Sequence, residues 1–436
     1  MFDTFKNAWK IPDLRKKILF TLGVLVLFRL GCAIPVPFVT GDALQSMIGS
    51  NTGNLLGYID MLTGGAFANS TLFALGVGPY INASIIMQLL AVAIPALERL
   101  SKEGEDGRRK MQKLTRYVGA GIALLLSVMY YFLLNGQGAL KYTTGFAGVF
   151  CALVIILSFA AGSMLLQWMG EQIDVKGIGN GISMLIFAGI ISRWSGVFNA
   201  IKGYIQLAMN GEIKYYFFLP LIAVLVVAVA VMIVVLNAAE RRIPVQYAKR
   251  VVGRKMYGGQ NSHIPIKVNM SGVLPIIFAS SLVSIPGTLG AFFPALYNSQ
   301  EHPIWAAFLG AFNYNSWAYA VIYLVLIIAF NYFYVAIQYD PIEIANNLRT
   351  NNGTIPGYRP GKPTSDFITK VLSKITFVGA LFLAVVAIAP IVLSNVLSMN
   401  ISLGGTSMLI VVGVALDTSR SLESYLLMRH HKGFLE

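Results

Sequence analysis

Charge is scarce in this 436-residue chain, where 12% of residues are Asp, Glu, Lys or Arg and 56% are hydrophobic. With a mean hydropathy of +0.67, that excludes an ordinary soluble domain, whose charged share is about 25%. Cysteine is scarcer still. Cys32 and Cys151 are the only two, both sit in apolar runs, and they supply neither a disulfide framework nor a metal set, so each reads as a small apolar filler. Neither H-E-x-x-H nor G-x-x-x-x-G-K-[ST] occurs, which removes the zinc-protease and P-loop readings. His263, His302, His430 and His431 all fall in loops or the C-terminal tail, so an intramembrane hydrolase lacks its base. None of the 19 acidic residues lies mid-span, the nearest being Asp417 at the inner end of the last apolar run. An ion-coupled carrier usually needs such a group. Energy for transport must then come from a partner or from the passenger.

Long apolar runs are what the chain does have. Ten windows near 18–36, 71–97, 117–134, 146–169, 178–200, 215–238, 271–296, 316–338, 375–397 and 404–427 are long enough to cross about 30 Å of hydrocarbon. The first carries Arg29 and runs into Pro35 and Pro37 without a small-x-small cleavage site, so it reads as a retained span rather than a secretory signal. The net charge of +14 is one-sided: 28 Lys and Arg fall in the N-terminus, the C-terminus and one set of alternate loops, against Lys141, Lys202 and Lys214 in the other set. Arg29 and Arg193 are left inside spans. The positive-inside rule puts both termini and the basic loops 98–116, 239–270 and 339–374 in the cytoplasm. Those loops exceed what orientation requires, which leaves room for docking.

Ten spans split after the fifth give two sets of five, the second entering the membrane in the opposite orientation, as in an inverted repeat. The second span of each set is the one carrying breakers: Gly76, Gly78, Pro79 and Asn82 in one, Gly272, Pro275, Pro286 and Gly287 in the other. Interrupted helices at matching positions point to a central pathway between the halves. Their polarity is mild, from Asn82, Ser84 and Gln88 and from Ser280, Ser281, Ser284 and Thr288. This suits a path part wet and part facing lipid. A secondary transporter for a small solute and an intramembrane enzyme are the competing readings; the first wants a central charge, the second a nucleophile with a base.

The motifs "SKEGEDGRRKMQKLTRY" (101–117), "GEQIDVKGIGNGIS" (170–183), "VQYAKRVVGRKMYGGQNSHIPIKVNMSGVLPIIFASS" (245–281), "PGYRPGKPT" (356–364) and "GGTSMLIVV" (404–412) resemble the SecY family, the channel subunits of the Sec protein translocon, in order and over essentially the whole chain. The resemblance implies an all-α polytopic membrane protein: ten transmembrane helices in two inverted pseudo-symmetric halves, 1–200 and 215–436, joined by an external connection 201–214. It implies a passive protein-conducting channel in the bacterial cytoplasmic membrane, not an enzyme and without a cofactor. Implied partners are SecE and SecG, the SecA ATPase, the ribosome through its RNA phosphates, the signal-recognition-particle receptor, anionic lipids, and nascent and secretory polypeptides.

By the same resemblance a re-entrant helix, about Ile59 to Phe73, plugs the outer funnel with Asp60, Met61, Leu62, Thr63, Gly64, Gly65, Ala66, Phe67, Ala68, Asn69, Ser70 and Thr71. Its small residues are expected to let it pack loosely and leave. Val77, Ile81, Ile186, Ile277 and Ile410 are the implied pore ring. Asn82 and Ile85 are expected to face the region of Ile285 across a lateral gate between the second and seventh spans, where apolar passengers partition into lipid. Lys249, Arg250, Arg254, Lys255 and Arg359 are the implied docking residues for ribosome or motor. Segment 241–259 reads as a β-like hairpin turning at Gly258-Gly259. "DPIEIANNLRT" reads as a short helix N-capped by Asp340 with Pro341 at its first position.

Overall fold

A computed structural model of the chain describes residues 8–40, 60, 63–210, 214–247, 250–252, 255–257, 261–292, 303–312, 316–397 and 405–432. The helices in order are α1 Pro12–Gly31, α2 Gly78–Ala93, α3 Pro95–Lys102, α4 Glu105–Gly136, α5 Gly145–Lys176, α6 Gly181–Ser192, α7 Trp194–Met209 and α8 Lys214–Ala238. After a β arm follow α9 Leu274–Phe292, α10 Pro303–Ala311, α11 Trp317–Gln338, α12 Pro341–Thr350, α13 Lys362–Leu397 and α14 Gly405–Lys432. Each of the ten apolar windows coincides with one of these helices or with an adjacent pair. Among the described residues six helical stretches are long and apolar enough to cross a membrane, or seven if α2 and α3 form one bent span.

That bend has a local cause. Ile94, extended at φ −110° and ψ 113°, precedes Pro95, and a residue before proline is pushed out of the helical region by the ring. The chain turns by 108° there, and Pro95 restarts a helix at a position where its missing N–H costs nothing. Residues 201–209, expected in the connection between halves, belong to α7. The loop proper shrinks to 210–213, of which 211–213 lie outside the described residues.

Two large cores result. Phe67, Ala68, Tyr130, Leu133, Leu134, Ile155 and Phe159 close one between α4, α5 and the segment ahead of α2. Ile233, Ile276, Phe278, Tyr323, Ile327, Leu383 and Ala387 close the other between α8, α9, α11 and α13. The second holds a polar staple: the Asn331 amide donates to the Thr376 carbonyl at 2.9 Å and its oxygen accepts from the Ser271 hydroxyl. Every polar atom so buried needs such a partner.

Two of the three basic loops, 239–270 and 339–374, form one body. Strand β1 (Glu240–Tyr247) pairs antiparallel with β4 (Asn261–Lys267), and with β5 (Gly353–Thr354) through Gln246↔Thr354 and Tyr247↔Gly353. Beneath this sheet Ile243, Val245, Ile266, Leu348, Ile355 and Ile368 make a small core of their own. The arm's tip pairs β2 (Arg250–Val252) with β3 (Lys255–Tyr257) in a register that sets Val252 against Lys255. Gly258-Gly259, the expected turn, lies outside the described residues. Asp340 caps α12 as expected, its Oδ1 accepting from the Ile342 N–H at 2.8 Å.

Candidate functional site

Four helices and one helix cap aim branched aliphatic side chains at a common point. Ile81 of α2, Ile186 and Ile190 of α6, Ile277 of α9, and Ile410 and Val414 of α14 share one apolar cluster with Val77, the N-cap of α2. Most arrive as pairs four residues apart, Val77 with Ile81, Ile186 with Ile190, Val273 with Ile277 and Ile410 with Val414, because that spacing stacks side chains on one helix face. Ile186 and Ile410 are buried, whereas Val77, Ile81 and Ile277 are half-buried. Thus the five residues singled out from sequence, which span 334 positions of the chain, meet in space. Such a girdle offers no group to replace an ion's water, so when narrow it stays dry.

The segment ahead of α2 meets this cluster at Val77, which belongs also to the core that holds Ala66 and Phe73. Asp60 is helical, and residues 63–70 and 72–77 run as turns, so a regular helix does not continue to Phe73; Met61 and Leu62 lie outside the described residues. Left-handed backbone at Gly64 (φ 68°), Gly65 (φ 90°), Ser70 (φ 47°) and Gly76 (φ 57°) breaks any helix. Gly64 also has no room for a side chain: a Cβ there would meet Arg29 Nη1 and Ser192 Oγ at 2.8 Å.

Loose packing, the expectation from its small residues, is not what the segment shows. Ala66, Phe67, Ala68 and Ser70 are buried, and small side chains here allow close approach instead. Phe67 stacks at 4.8 Å on Tyr130, whose hydroxyl donates to the Phe67 carbonyl at 2.6 Å and lies 3.2 Å from Ser70 Oγ. Ser163 of α5 donates to the Gly76 carbonyl at 3.2 Å. Asp60, wholly buried, accepts from the Ala68 N–H at 2.8 Å and pairs with Arg193. Arg29 donates to the Gly64 carbonyl at 3.1 Å.

Here lie the residues that sequence reasoning left without a role. Arg29 and Arg193 were visible as charges inside spans, and a charge there demands a partner. Their partners are an acid and a carbonyl far away in sequence, which only folding brings near. Tyr130 and Ser163 carried no signal at all, one aromatic and one hydroxyl among many.

At the proposed gate, α2 lies against α9. Ile85 is buried in the second large core beside Ala279 and Val283; Asn82 is half-buried and Ile285 is 43% exposed. Of the docking residues, Arg250 and Lys255 lie on the paired tip strands, and Lys249 and Arg254 fall outside the described residues. Arg359 is exposed in a turn between Gly357 (φ 86°) and Gly361 (φ 101°), which Tyr358 anchors by stacking at 4.2 Å on Phe367. The described residues contain no cluster of His, Cys, Asp and Glu able to hold a metal.

Comparison with known proteins gives this geometry its context. The SecY family model matches residues 71–419. The chain is 43% identical to the protein translocase subunit SecY of Thermus thermophilus and 40% identical to that of Thermotoga maritima, in each case over 100% of this chain and 98% of the relative. Among solved structures it resembles a protein-conducting channel with TM-score 0.60 at 20% identity, covering 94% of this chain and 92% of that one. It also resembles Sec61 in the canine ribosome–channel complex from the endoplasmic reticulum, with TM-score 0.56, 20% identity and the same coverage. Those likenesses carry the fold. A match over most of the chain by the family model, and over all of it by relatives 40% and 43% identical, makes this protein a member of the SecY family.

Proposed function

We propose that this chain is the channel-forming subunit of a protein translocase, conducting unfolded secretory polypeptides across the cytoplasmic membrane. The observation that carries the reading is the meeting of Val77, Ile81, Ile186, Ile277 and Ile410 in one apolar cluster, which Val77 joins to the core that holds Ala66 and Phe73. A ring of flexible aliphatic side chains moulds around an extended chain of any sequence and closes against ions when empty. Residues 60–71 seal the ring from outside until a passenger displaces them. Between α2 and α9, where Ile85 supplies the apolar contact, the wall parts sideways. A passenger segment then leaves into lipid when its transfer is favourable, by about 0.3 to 0.6 kcal/mol per large apolar residue at mid-membrane.

The chain itself supplies no energy-yielding chemistry in this reading. A motor ATPase such as SecA or a translating ribosome engages the sheet-backed body made by 239–270 and 339–374, with RNA phosphates drawn to Arg250, Lys255 and their neighbours Lys249 and Arg254. SecE and SecG clamp the halves, 1–200 and 215–436, from the lipid side. Both termini face the cytoplasm, in keeping with the one-sided basic charge.

A single cysteine at Ile81, in a chain lacking Cys32 and Cys151, tests the core of the reading. During export it should form a disulfide with a cysteine in a stalled secretory polypeptide, whereas one at lipid-facing Val224, 68% exposed, should not. Working export with no cross-link at Ile81 would move the path elsewhere.

A further inference from the structure

The acid Asp60 is the only wholly buried carboxylate among the described residues, and its surroundings assign it two jobs. Within the plug segment its Oδ1 accepts from the Ala68 N–H at 2.8 Å and its carbonyl accepts from the Gly65 N–H at 2.9 Å, so it ties the turn together. Outward, its other oxygen pairs with Arg193. Arg193 is the residue that both ends α6 and begins α7. Beside it Ser192 Oγ lies 3.4 Å from the Gly64 carbonyl, and that carbonyl and Ser192 Oγ both accept from Arg29 Nη1, at 3.1 and 3.0 Å. One end of α6 therefore grips the segment through its last residue, Ser192, and its C-cap, Arg193, with Arg29 of α1 closing the clasp. Two helical turns earlier on the same helix is Ile186, in the aliphatic ring, about 10 Å away along the axis at 1.5 Å per residue.

We propose that Arg193, seconded by Arg29 and Ser192, is a positioning residue that latches the plug through Asp60, and that the latch is carried by the same helix that lines the ring. Spreading of the ring by a passenger displaces α6, and α6 takes Arg193 with it, so the plug is released by the event that requires its departure. Asp60 is wholly buried, where a charge-assisted bond is strong and an unpaired charge is costly, while the Arg193 side chain is 41% exposed. This inference rests on the reading of residues 60–71 as the plug.

The test is resting ion leak in membrane vesicles carrying the full chain with its natural partners, for wild type, R193Q, R193K, D60N, a deletion of residues 60–70, and R193Q combined with that deletion. Loss of one charge-assisted hydrogen bond shifts a two-state ratio about tenfold to a hundredfold. R193Q and D60N should therefore raise the leak by at least about tenfold, with R193K between them and wild type. Because Arg193 acts through the plug, R193Q should add nothing to the deletion. A tight R193Q beside a leaking deletion would overturn the latch and leave the plug standing. A tight deletion would overturn the plug reading itself. Extra leak from R193Q in the deleted background would show that Arg193 works on the helices rather than on the segment, and that too overturns the proposal. Should R193Q fail to accumulate in the membrane, D60N, which keeps an oxygen for the Ala68 N–H, decides the matter alone.

Discussion

Tyr130 offers the cleanest measure of what holds the plug segment down. Its ring is wholly buried on α4, between Phe67 and Phe159 with both centroids at 4.8 Å, and its hydroxyl donates to the Phe67 carbonyl at 2.6 Å. Tyr130→Phe keeps the ring and its two aromatic contacts and deletes one oxygen. The carbonyl of Phe67 is not left bare, because it still accepts from the Ser70 N–H at 3.2 Å. The buried Ser70 hydroxyl, 3.2 Å from the deleted oxygen, loses its contact as well, so the cost is set by that one group left behind, about 1 to 1.5 kcal/mol. On the proposed reading the segment leaves when the channel opens and the hydroxyl is then hydrated, so the loss falls on the closed state alone. The closed-to-open ratio should drop about five- to twelve-fold, read as resting open probability in planar bilayers. An unchanged probability would mean that the hydroxyl does not bias the gate. An equal rise in a chain already lacking 60–70 would mean that the substitution acts on the packing of α4, and would refute the reasoning just as firmly.

Gly64→Ala forces a side chain into left-handed backbone, at about 1 to 2 kcal/mol, and into Arg29 and Ser192. Gly65→Ala meets nothing nearer than 3.8 Å and carries only the backbone cost. In the same bilayer assay the first should leak more than the second, and equal leaks would remove the close approach at Gly64 from the account. Arg359→Glu should abolish motor-driven export while the protein still inserts and accumulates, because the turn that presents Arg359 is built from Gly357, Gly361 and the Tyr358–Phe367 stack rather than from the guanidinium. Unimpaired export by that variant would take Arg359 out of the mechanism. Asp340→Ala should destabilise α12 by about 1 kcal/mol, seen as faster hydrogen exchange at the Ile342 amide that Asp340 now binds; unchanged exchange there would mean that the cap bond contributes nothing.

Sequence alone determined the class of this molecule and the location of its breaks. Apolar run length is a local property set by the thickness of the bilayer, so each of the ten windows overlaps a helix, though six or seven of the described helices are long and apolar enough to span, and the Asp340-Pro341 start of α12 was legible because a cap is made by neighbours. The extra break at Ile94-Pro95 was equally local, yet its 108° angle was not, since a proline permits a bend without specifying its size. Composition misled at the plug: Gly, Ala and Ser spell looseness in a list of residues and close contact in a packed one.

What only the tertiary structure decided is which distant residues meet. A valine or isoleucine in a membrane helix looks the same whether it faces lipid, core or a channel waist, because periodicity fixes a face and not what lies opposite. The gathering of Val77, Ile81, Ile186, Ile277 and Ile410 depends on how four helices lean together. The pairing of Arg193 with Asp60 and the joining of two basic loops through Tyr247 and Gly353 depend on it as well. Sequence announced that the charges inside the spans needed partners; the fold chose them, because electrostatic attraction and hydrogen bonding act through space and the chain between the partners carries no record of the distance.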